Sequence, residues 1–156
     1  MTATPGLLAE IDKQERDLQF DSFGPADAWR LGCAARELAE ADGLPVVISI
    51  ELGAQEVFCA ALPGSNANNN EWIRRKLAVV RLFDRSSYGV GEQFRVWGQV
   101  FATDAGYDPQ RFAASGGAFP LRVRGSLVGG IGVSGLPEDE DHALAVRAVE
   151  SVLSGS

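Results

Sequence analysis

The chain has 156 residues, 46% hydrophobic and 22% charged, a composition that fits one globular domain over 1–156 with a core of ordinary size. Its net charge of -7 argues against a general nucleic-acid binder, whose phosphate contacts need a broad basic surface. No apolar run reaches the roughly eighteen residues of a spanning helix. The opening MTATPGLLAEIDKQERDL lacks the basic start and apolar stretch of a secretory signal, so the expected location is cytoplasmic.

Leu7–Phe20 has helical spacing through Leu7, Leu8, Ile11 and Leu18. Pro25 suits a first helical turn, and Ala26–Ala41 then puts Ala28, Leu31, Ala35 and Leu38 on one stripe that Gly43 ends. Cys33 and Cys59 lie in apolar surroundings without ligand spacing and read as buried free thiols. The β-branched Leu44–Glu51 is a strand, with Gln55–Ala61 as its hairpin partner. Asn66–Asn70 offers a cap for a helix whose stripe is Ile73, Leu77 and Val80, with Trp72, Val79 and Phe83 alongside. A second helix runs from Ser86 to about Phe101, its serines acting as caps rather than nucleophiles, and Thr103–Gly117 is loop. Phe119–Val123 and Ser126–Ser134 form a second hairpin about Arg124-Gly125, and a last helix runs from Pro137 to about Leu153. Paired strands with short turns imply an α+β fold, an antiparallel sheet with helices packed against it.

Five of the fourteen Lys/Arg fall within 74–85: Arg74, Arg75, Lys76, Arg81 and Arg85. Such a cluster on an acidic molecule needs an anion: a ligand, a neighbouring subunit, or the protein's own acidic helix ends. Arg74, Arg81 and Arg85 share one side of their helix, and their guanidinium forks suit carboxylates. Alternation along Leu127–Ser134 turns Leu127, Gly129, Ile131 and Val133 one way and Val128, Gly130, Gly132 and Ser134 the other. The second face is nearly bare, so a helix, another subunit or a flat ligand comes close to it. Gly130–Gly135 matches G-x-G-x-x-G, but Ile131 and Val133 are still strand residues, and this excludes a dinucleotide fingerprint. His142, the one histidine, follows an acidic first turn and shares a stripe with Val146, Val149 and Leu153. Its readings are a metal or haem ligand, a general base, or a hydrogen-bonded boundary residue; one histidine does not make a zinc site.

The segments LPGSNANNNEWIRRK, FDRSSYGVG and FPLRVRGSLVGGIGVSGLPEDEDHALAV resemble the GlcG/HbpS family of haem-binding and haem-degrading domain proteins, over about Asp17 to Leu153. The resemblance implies a profilin-like α-β-α fold with about five antiparallel strands and an oligomer of dimers or larger. It implies haem as a cofactor for some members. It does not carry a haem site onto this chain residue by residue, so the cofactor here is unassigned.

These features point to a non-catalytic, homo-oligomeric binding domain for a small anionic or haem-like ligand. Arg74, Arg81 and Arg85 would neutralise the ligand, Tyr88 would pack or hydrogen-bond, Gly130 and Gly132 would give room, and His142 would stand at the start of the last helix. The alternative is an assembly or adaptor module whose same surfaces are protein contacts; a haem-linked redox or haem-degrading enzyme comes third. No catalytic residue, metal ligand set, nucleic-acid partner or membrane partner is assigned.

Overall fold

Two hairpins build the sheet. The computed structural model describes residues 2–155, and β1 (Val47–Leu52) pairs with β2 (Gln55–Ala61), while β3 (Ala118–Val123) pairs with β4 (Ser126–Ser134). An antiparallel β1–β4 ladder from Val47↔Ser134 to Leu52↔Gly129 joins them in the order β2-β1-β4-β3. Both hairpins turn where φ is positive, at Gly53 and at Arg124-Gly125. The architecture is α+β, a four-stranded antiparallel sheet with helices on its faces, in keeping with a profilin-like layout.

The fifth strand implied by the resemblance is reduced to a single parallel bridge, Phe20↔Val123. Phe20 N–H donates to Arg122 O at 2.9 Å and Arg124 N–H to Phe20 O at 3.1 Å. Pairing then stops, because Gly24-Pro25 already begins α2 (Pro25–Ala41). Helix α1 (Leu7–Asp17) accordingly ends before Phe20.

Alternation along the strands separates two apolar layers. Val46, Ile48, Ile50, Phe119, Leu121, Ile131 and Val133 pack with α2 and α6 (Glu138–Leu153) through Ala28, Leu31, Ala35, Leu144, Ala145, Ala148 and Val149. The opposite face carries Val47, Ala118 and the two bare glycines under α3 (Ala67–Phe83), whose Ile73, Leu77 and Val80 lie against it. A Cβ on Gly132 would sit 2.6 Å from Ile73 Cγ2, and one on Gly130 2.8 Å from Leu77 Cδ2. Hence the missing side chains let α3 settle onto the sheet. The expected alternation fails at the start of β4, where Leu127 joins the α3 layer and Val128 the other. A bulge explains this: Leu121 faces Gly129 but Arg122 faces Leu127, so Val128 has no partner in β3.

The second helical stretch is two helices, α4 (Ser87–Val96) and α5 (Phe101–Asp104). Gly98 breaks it, with φ of 73° and its N–H donating back to Arg95 O. Cys59 is exposed and Cys33 partly so, contrary to two buried thiols. Phe58 of β2 takes the α2/α6 core side, which turns Cys59 to the α3 face. There the start of α3 reaches it only through Asn70, whose Nδ2 donates to the sulfur at 3.7 Å. Among the described residues no helix is long and apolar enough to cross a membrane.

Candidate functional site

The arginines anticipated as a ligand clamp are closed by the protein's own carboxylates. Arg74 pairs with Glu71 at 2.7 Å, Arg81 with Glu51 of β1, and Arg85 with Asp12 of α1 at 2.7 Å. Of the three anions the sequence allowed, the intramolecular one is present at each position. Gly130 and Gly132 give no room to a ligand, since Leu77 and Ile73 fill the space above them. A groove of about 320 Å³ does adjoin Arg74 and Arg81, but Glu51, Glu56 and Glu71 outnumber the two guanidiniums there. Burial pushes the Glu51 carboxyl up despite Arg81, and it is the excess of carboxyl groups over guanidiniums that makes this groove a poor match for an anion.

Tyr88 and His142 do come together, with ring centroids 5.0 Å apart, and Phe119 closes on the imidazole at 5.9 Å. The His142 Nε2–H donates to Gln14 Oε1 at 2.7 Å, which leaves Nδ1 unprotonated, buried and without a partner. Burial holds the His142 pKa down to about 4, so the ring is neutral at pH 7. Burial first, then Glu138 and Asp139, pushes the Tyr88 phenol up. As an axial haem ligand His142 does not fit: Gln14 occupies one nitrogen, the other is enclosed, and the residue is only 4% exposed. The groove passing it between α1 and α6 carries Glu10, Asp139 and Glu150 against Arg147, an acidic rim that repels anions.

A different cleft, of about 350 Å³, opens on the other flank of α3. Its walls are Trp72 of α3, Val100, Phe101, and Phe112 to Ala114 of the loop before β3. The loop is pinned in place: Ala113 N–H donates to Arg75 O at 3.2 Å, and Gly91 lets α4 approach Ala114 where a Cβ would overlap the carbonyl. Three cations surround these walls. Arg95 is spent on Glu92 at 2.7 Å and Glu138 at 3.6 Å. Arg75 lies 4.0 Å from the Trp72 ring centroid, and Arg111 lies 5.3 Å from that of Phe112. Neither has a carboxylate within ion-pair distance among the described residues. An apolar slot lined by Arg75 without a carboxylate, with Arg111 stacked on its wall residue Phe112, suits an amphiphilic anion.

Beside the cleft, sharing Trp72, Ser115 and Glu138 with it, a second depression has Lys76 and Asp141 at its floor. Lys76 Nζ donates to Asp141 Oδ2 at 3.1 Å and to Val133 O at 3.0 Å, and Asp141 Oδ1 accepts Leu136 N–H at 3.0 Å. Burial lowers the Lys76 pKa and raises that of Asp141, each opposed by the partner's charge. Within the basic cluster Lys76 is therefore the member turned inward. The cleft is not legible from helical spacing because Pro109 and Phe112 to Ser115 of its wall come from Thr103–Gly117, a segment without periodicity. The available signal was the interleaving of Phe94, Trp97, Phe101, Tyr107 and Phe112 with Arg95 and Arg111. Among the described residues no group of three or more His, Cys, Asp or Glu could hold a metal ion.

The family model described as "Haem degrading protein HbpS-like" matches residues 23–150. A UPF0303 protein of Streptomyces avermitilis is 45% identical over 153 residues, covering 97% of this chain and 94% of that protein. The crystal structure of the Ybr137w protein superposes with a TM-score of 0.89 at 25% identity, covering 97% of this chain and 90% of that one. A PduOC:heme complex superposes with a TM-score of 0.72 at 22% identity, over 83% of this chain and 94% of that one, a likeness of fold.

Proposed function

The chain belongs to the HbpS-like family, and from that premise we propose that it is a non-catalytic binding protein for an amphiphilic anion of the haem type. The ligand would enter the cleft between α3, α4 and the 105–117 loop, apolar body against Trp72, Phe101 and Phe112, acidic edge toward Arg75 of the lining and Arg111 on Phe112. The observation that carries this reading is the pair of guanidiniums stacked on cleft aromatics with no carboxylate of their own. Elsewhere in the basic cluster each charge is already spent inside the molecule. A family description that names haem, and a fold relative solved with heme, favour a tetrapyrrole within that ligand class.

The residues treat the two parts of haem differently. The cleft suits its apolar face and carboxylates, whereas His142 offers no free nitrogen to the iron. Titration with haemin, followed by quenching of tryptophan fluorescence, tests the assignment. Saturable one-to-one quenching that Arg75→Glu weakens is the expected result, and no saturable change would remove the cleft from consideration.

A second reading rests on its own observation. Val96, Trp97, Val100 and Tyr107 are 52%, 62%, 50% and 41% exposed, an unusual apolar concentration around the end of α4. We assign this patch to contact with a second copy of the chain, consistent with a homo-oligomer. Cytoplasmic placement goes with the same proposal, and the exposed thiol of Cys59 suits a reducing compartment.

A further inference from the structure

We propose that the cleft recognises a tetrapyrrole by its periphery and not by its metal, so that iron-free and iron-loaded ligands are taken alike. This inference rests on the reading of the cleft given above and specifies its ligand class: an anionic porphyrin as such.

The donor set carries the inference. Protein ligands to haem iron are His, Cys, Met and Tyr side chains, and none of these lines the cleft. Its polar lining is Arg75, Arg95, Gln99, Ser115 and Glu138. Glu138 is the one anionic oxygen donor, and both its oxygens are engaged. Oε1 accepts Gly116 N–H at 3.0 Å, and Oε2 faces Arg95 at 3.6 Å.

Tyr107 packs against the wall rings, 6.4 Å from Phe101 and 5.5 Å from Phe112 between centroids, but is not among the lining residues, and the other donors lie elsewhere. His142 faces Gln14 of α1 and stacks with Tyr88, outside the cleft lining. Cys33 and Cys59 belong to α2 and β2, on elements that contribute nothing to the cleft. What the cleft offers is an indole, two phenyl rings and the Arg75 guanidinium. Among the described residues that guanidinium bonds only backbone carbonyls, Glu71 O at 3.4 Å and Pro109 O at 3.5 Å, and has no carboxylate. Arg111 stacks on Phe112 beside the lining. Those groups read a flat apolar face and carboxylates, features that a porphyrin keeps when its metal is removed. The volume of about 350 Å³ is at the small end for a ligand cavity of roughly 300–1,000 Å³. A tetrapyrrole would therefore insert one edge, with its acidic groups toward Arg75 of the lining and the Arg111 that stacks on Phe112.

The experiment uses the full chain and needs no variant. Haemin, zinc protoporphyrin and free-base protoporphyrin are each titrated into the protein, with quenching of tryptophan fluorescence as the common readout and the haemin Soret band as a second. The expected result is three dissociation constants within about threefold of one another, since a coordinate bond worth even one decade would separate them. The Soret band should lack the shift that a protein nitrogen or sulfur ligand produces. Haemin bound at least about tenfold more tightly than the free base would overturn the inference while leaving the cleft as a haem site. If none of the three binds, the assignment of the cleft falls and the inference falls with it.

Discussion

His142 was conspicuous in the sequence as a lone histidine beneath an acidic turn, but its burial was not legible there. Alternation and helical spacing indicate which way a side chain points, not whether another helix covers it. Here α1 does so, through Gln14. The pH dependence follows from the folded pKa of about 4 against an ordinary value of 6.5. The unfolded chain binds the proton more readily between these values, so the stability contribution is full above about pH 6.5 and is lost as pH falls toward about 4. Urea unfolding at pH 7 and pH 5 should show the wild type losing about 1–2 kcal/mol more than His142→Gln over that interval. Equal losses would mean that the imidazole is more accessible than described.

The Lys76–Asp141 pair was likewise hidden, since Lys76 reads as one more member of a charge run. Its partner lies on α6, and which carboxylate meets which cation is decided by tertiary packing. Asp141→Leu alone leaves a buried ammonium without its counter-charge and should cost about 3–5 kcal/mol. The double replacement Lys76→Met with Asp141→Leu should recover much of that loss in the same unfolding measurement. Recovery absent from the double variant would argue that the pair supplies more than mutual neutralisation.

Among the elements, α3 was the most legible. Its stripe of Ile73, Leu77 and Val80 and the bare strand face of Gly130 and Gly132 were both visible in the sequence, and the two are the halves of one contact. Nothing in the sequence joined them, because a missing side chain records a close approach without naming what approaches. Gly132→Ala puts a methyl 2.6 Å from Ile73 Cγ2, on a helix held to the sheet along its length. It should lower stability by about 1–3 kcal/mol in thermal unfolding. Gly130→Ala meets the movable end of Leu77 at 2.8 Å and should cost less. The reverse order would place α3 differently on the sheet. Helical spacing carried the reading from Ser86 through to Phe101, past Gly98, because one glycine does not by itself end a periodic pattern. Its left-handed φ does end it, and the resulting break brings Val100 and Phe101 to the cleft.

At the scale of the molecule, the overall charge of -7 coexists with a cleft lined by Arg75, a guanidinium that no carboxylate among the described residues neutralises, and with Arg111 stacked on the wall residue Phe112. The basic cluster on α3 divides by helix face: Arg74 and Arg81 turn to the protein's own acids, Lys76 inward, and Arg75 to the cleft. The apolar patch at Val96, Trp97 and Val100 adds a second surface that an isolated chain leaves open. Trp97→Glu should lower the mass measured by light scattering, and an unchanged mass would place the subunit contact elsewhere. The division of α3 into faces also sets the decisive comparison, between neighbours in sequence. Haemin binding should weaken about tenfold or more in Arg75→Glu and stay near the wild-type value in Arg74→Glu. Loss of binding in Arg74→Glu with retention in Arg75→Glu would contradict the cleft assignment and return the ligand to the opposite flank of the helix.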